Sequence, residues 1–128
     1  MEFIHEKIDM GYDKLERAEH ADGRRYVTLD GNAYPSVTTV LGIMGEEKLA
    51  AWKKKVGEEK AKQIGTQAAN RGTAVHNIIE KYLHNEDTSD FLPHIQQSLK
   101  NLKPIIDKYV TKVFATECPL YSDHLKLA

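Results

Sequence analysis

Apolar side chains recur every three or four positions along one stretch of the chain. Val75, Ile78, Ile79, Tyr82 and Leu83 fall on one side of a helix wound over 73–84. In this reading Gly72 and Thr73 start that helix: a small residue for a close turn, then a hydroxyl for the first unpaired N–H groups. A second periodic set, Ile95, Leu99, Leu102, Ile105, Ile106 and Tyr109, predicts a helix over 91–113. It should kink near Pro104, because proline cannot continue the hydrogen-bond ladder. Ser36 precedes an apolar run and reads as the cap of a helix over 37–44 that Gly45 ends. Glu46 and Glu47 then open a further helix, with Leu49, Ala50 and Trp52 along one side and Lys53, Lys54 and Lys55 at its end. Gly57 separates this from a helix over 58–69, itself broken at 70–72.

Strand signals are shorter. Residues 25–29 alternate, Asp30-Gly31-Asn32 is a turn, and 33–35 return, which together predict a β-hairpin. Residues 1–22 are charged with a few spaced apolar side chains and read as a leader with a short strand over 3–8. At the other end, 113–117 has strand character, 119–122 suggests a turn or second strand, and 125–128 alternates again. The expected class is mostly α with a small N-terminal β-hairpin and C-terminal strands, one domain over 23–128.

Composition narrows the function classes. A chain of 128 residues with 41% hydrophobic content can bury one modest core, and 29% charged residues of mixed sign argue against disorder. The net charge of −1 gives no global attraction to nucleic acid, so any such binding must come from local clusters. A single cysteine, Cys118, excludes an internal disulfide, has no cysteine companion for structural zinc, and fits a reducing, cytoplasmic setting. No apolar run approaches the ~20 residues of a membrane span, so no membrane partner is expected.

His76 and Glu80 are four apart, one turn from each other on the central helix. An imidazole and a carboxylate so placed can share a divalent metal, or remain a solvated pair. Arg71, at the expected helix start, can meet a phosphate favoured by the helix dipole, or simply face solvent.

The order R-G-T-x-x-H-x-x-x-E (Arg71 to Glu80), some 30 residues after Y-P-S-V-T-T-V-L and one W-K-K-K segment, resembles the RecB-type branch of the PD-(D/E)XK nucleases. Within that superfamily it is most similar to short bacteriophage exonucleases and the mitochondrial genome-maintenance exonuclease. The resemblance implies an α/β restriction-endonuclease-like fold and a Mg²⁺- or Mn²⁺-dependent DNA exonuclease. His76 would be a metal ligand, with Glu80 and Glu117 as catalytic acids. Ser36 and Thr38 would meet phosphates, while Trp52, Lys53 and Lys54 would hold a DNA strand beside Arg71. The bland alternatives are a cap for Ser36, a core role for Trp52, solvated helix pairs for the lysines, and a solvent-facing Glu117.

The family signature places an Asp on one strand and D/E-x-K on the next, after a stretch like 117–128, and this sequence does not contain it. The resemblance therefore implies an incomplete fold, inactive alone, whose C-terminal strands seek a second polypeptide carrying the catalytic hairpin, self-associate, or leave roughly the last ten residues disordered. Three readings follow: part of a metal-dependent DNA exonuclease, a non-catalytic module for single-stranded DNA or DNA ends, or an interaction protein with no nucleic-acid role.

Overall fold

The computed structural model describes residues 2–8 and 15–128. The architecture is mostly α with small strands, as the periodicity predicts. It divides into two compact units: Met1–Ile8 with Glu58–Thr116, and Asp9–Gly57 with Glu117–Ala128.

The first unit is built on two long helices. α2 runs Glu58–Leu83 and α3 runs Pro93–Tyr109. The break expected at 70–72 is absent: Gly72 stays helical, since a glycine inside a helix costs only about 1 kcal/mol and removes no hydrogen bond. Ile78, Ile95 and Leu99 are buried at the contact of α2 with α3, and Val75, Ile79, Tyr82 and Phe91 pack around them half-buried. Pro93 opens α3 at a position where its missing N–H costs nothing, and the helix closes at Tyr109, short of the expected 113. Ile105 and Tyr109, expected on the packed side, are exposed, because the core contact lies nearer the start of α3. Two short strands, β1 (Ile4–His5) and β5 (Lys112–Val113), pair in parallel. Phe3 fastens β1 to the end of α2: its N–H donates to Asn85 Oδ1 at 2.7 Å, and its ring meets Tyr82 edge-on.

The second unit holds a three-stranded antiparallel sheet, β2 (Glu16–His20), β3 (Gly23–Val27) and β4 (Ala33–Pro35), in that order. The expected hairpin is β3–β4, with Tyr26 opposite Tyr34 and Gly31 at φ 84° in its turn. Part of the expected leader is strand β2, and its residues 1 and 9–14 lie outside the described residues. Gly23 is required: a Cβ there would stand 2.6 Å from Thr39 Cγ2.

α1 runs Val37–Val56 as one helix, straight through Gly42 and the break expected at Gly45, and buries none of its side chains. The expected C-terminal strands are much reduced. β5 ends at Val113, and Ser122 and Leu127 form only an isolated bridge. The last residue pairs back: Ala128 N–H donates to Pro35 O at 3.2 Å, and Val37 N–H to Ala128 O at 3.0 Å. Those bonds give the last residue backbone partners within its own chain, so the end is not the disordered tail that is one of the expectations. Among the described residues, no helix is long and apolar enough to cross a membrane.

Candidate functional site

Continuity of α2 sets the geometry of the first unit. Gln67, Ala68, Arg71, Gly72, Val75 and His76 of α2 form one wall of a groove of about 790 Å³. Ser98, Asn101 and Leu102 of α3 form the other wall, and Ile64 completes it. Ala68 and Gly72 keep the α2 wall low; a Cβ at Gly72 would meet nothing within 4 Å. Arg71 and His76 thus open into the same groove, five residues apart. Arg71 is in mid-helix, so the free N–H groups expected beside it at a helix start do not exist. Its guanidinium remains a fork of donors with no acid in the lining to neutralise it. On the facing wall, Ser98 Oγ donates to His94 O at 3.1 Å, and Gln97 Nε2 donates to Asn101 Oδ1 at 2.9 Å.

Glu80 is engaged elsewhere. It lines a separate recess with Asn77, Lys81, His84, Glu86 and Phe91. Thr116 Oγ1 donates to Glu80 Oε1 at 3.2 Å and lies 2.9 Å from His84 Nε2. With its proton committed to Glu80, the Thr116 oxygen accepts from His84. The His84 ring in turn stacks on His5, centroids 5.1 Å apart. Glu80 thus has Thr116 as a partner, and it lines a different recess from the groove that His76 lines. Among the described residues no three His, Cys, Asp or Glu side chains gather to hold a metal ion. None of the residues that line the groove is a carboxylate, whereas Mg²⁺ demands mostly oxygen ligands in octahedral array. These residues do not by themselves fit Mg²⁺ or Mn²⁺.

In the second unit Ser36, Thr38 and Glu117 do come together. They line a recess of about 530 Å³ with Arg24, Tyr26 and Cys118 among others. Ser36 is buried and caps α1: its Oγ accepts from Thr39 N–H at 3.1 Å and lies 2.7 Å from Thr39 Oγ1. Val37 N–H is taken by Ala128 O. Two of the first-turn donors, the N–H groups of Val37 and Thr39, are thus satisfied inside the fold. Ser36→Ala is expected to cost about 0.5–2 kcal/mol, read as a lowered urea midpoint, as for other lost caps. Glu117 sits at φ 50°, a left-handed conformation uncommon for a non-glycine residue. The Arg24 Nε is buried without a hydrogen-bond partner, 3.6 Å from Glu19 Oε1.

Trp52, Lys53 and Lys54 are exposed on the last turns of α1, where Lys53 O accepts from Gly57 N–H at 2.9 Å. Trp52 is not a core residue; it is 36% exposed. No family model, curated protein or solved structure matches the chain.

Gln67, Ser98 and Asn101 are absent from the sequence-derived site. Gln67, Arg71 and His76 line one groove only when α2 is read without interruption. Ser98 and Asn101 become their neighbours only through packing against α3.

Proposed function

We propose that this chain is a DNA-binding module that grips the phosphodiester backbone in the α2–α3 groove and has no cleavage chemistry of its own. One observation carries the reading. The groove is lined by Arg71, His76, Gln67, Ser98 and Asn101 and by no acidic side chain. Arg71, His76, Gln67 and Asn101 carry donors suited to phosphate oxygens, and the lining holds no carboxylate to repel them. Binding is local, since the whole chain has a net charge of −1. Lys53, Lys54 and Trp52 supply a second exposed cationic and aromatic surface of the kind that holds strands without sequence preference.

A second reading keeps the resemblance to the exonucleases. His76 and Arg71 share one groove, so a second polypeptide supplying carboxylates and a lysine would complete a metal site beside bound phosphate. Fluorescence anisotropy with a labelled oligonucleotide, with and without Mg²⁺, separates the two. The module reading expects metal-independent binding and no cleavage. It expects Arg71→Ala to weaken binding about tenfold or more, the loss of a charged hydrogen bond, and to reduce the salt slope by about 1. Robust cleavage with Mg²⁺ or Mn²⁺, abolished by His76→Ala, would overturn it in favour of the nuclease.

A further inference from the structure

We infer that the α3 wall of the groove reads the edge of a nucleobase, with Asn101 as donor and Ser98 as acceptor; this rests on the groove being a DNA site. The hydrogen bonds around the two residues set their roles. Gln97 Nε2 donates to Asn101 Oδ1 at 2.9 Å, which leaves the Asn101 Nδ2 hydrogens as the donors its amide can offer a ligand. The Ser98 hydroxyl proton is spent on His94 O at 3.1 Å, which leaves oxygen lone pairs as what Ser98 can offer. The residues are three apart on one helix, so their side chains are neighbours about 5–6 Å apart at Cβ. A donor beside an acceptor is complementary to an acceptor beside a donor. Unpaired bases carry that arrangement on their Watson–Crick edges, and phosphate, which offers acceptors only, does not.

The remaining lining fits the same ligand. Ile64, Val75 and Leu102 are apolar and suit the face of a ring, while Arg71 on the opposite wall suits the phosphate of the same nucleotide. A groove of about 790 Å³ is within the usual range of small-ligand sites, so a nucleotide is of a size to enter it. A groove for backbone alone would need neither the apolar surface nor an acceptor.

The test uses the full chain and two labelled strands of equal length and phosphate count, one of mixed sequence and one wholly abasic. The base-bearing strand is expected to bind about tenfold or more tightly than the abasic one. Asn101→Ala should weaken it about three- to tenfold, the worth of a neutral hydrogen bond, and leave the abasic strand unchanged. Asn101 is exposed, so the variant folds; Ser98→Ala, at the half-buried partner, provides an independent check with the same pattern. Equal binding of the two strands, with Arg71→Ala weakening both, would overturn this inference and spare the DNA reading. Binding of neither strand would overturn both, as would a groove that takes a peptide amide in place of the strands.

Discussion

Ile78→Ala is expected to lower the unfolding free energy by about 2–5 kcal/mol, measured by urea denaturation. Ile78 has no exposed surface, and it meets Ile95 and Leu99 where α2 packs on α3. Truncation removes three carbons from a contact that half-buried Val75, Ile79 and Tyr82 cannot close, since each is already held against the same cluster. A domain of this size has only about 5–15 kcal/mol in total, so the change removes a large share of it. Ile78→Val, which leaves a smaller void, should cost about 0.5–1.5 kcal/mol. A midpoint that barely moves for alanine would mean that α2 and α3 hold each other by something other than this core.

Stability should also fall as pH rises from about 10 to about 12, through Tyr82. Its hydroxyl donates to Asp107 Oδ1. Burial of the phenol, followed by the hydrogen bond to Asp107 and the charge of that carboxylate, raises its pKa from 10.0 to about 12. The unfolded chain releases this proton first. Between the two values the folded state holds more protons, so each rise in pH favours unfolding. The contribution is complete below about pH 10 and gone above about pH 12. A rise of that size is equivalent to about 2.7 kcal/mol, and because Tyr82 is partly open to solvent we expect no more than about 2 kcal/mol. Tyr82→Phe should flatten the decline over that window; an unchanged slope would place the alkaline loss elsewhere.

Local signals make the fold class legible. Asp30-Gly31-Asn32 sits between alternating runs and forms a turn, and the apolar spacing around Ile78 and Ile95 marks the buried faces of α2 and α3. Element ends are less legible, because Gly45 and Gly72 look like breaks in sequence. Glycine lowers helix propensity yet leaves every backbone bond in place, and continuation of a helix already begun outweighs the loss. The apparent break at Gly72 conceals part of the groove. Arg71 and His76 stand out in sequence for separate reasons and share a wall only on an unbroken α2. Glu80 lies about 40° further round the helix than His76, near enough to suggest a shared site. Glu80 also meets Thr116, 36 residues away, and a contact at that separation leaves no trace in local spacing.

α1 melts unlike the elements that hold the core. It spans 20 residues, contains two glycines and buries no side chain. What supports it is local: the Ser36 cap, the lysines that complement its last turn, and Gly57 closing on Lys53 O. Unwinding it uncovers little new apolar surface, and heat capacity changes in proportion to such surface. Its loss on heating is therefore gradual and carries almost no heat-capacity step, and denaturant has little new surface there to act on. For α2 and α3 the burial of Ile78, Ile95 and Leu99 makes the opposite case, a sharp transition with a heat-capacity increment of its own.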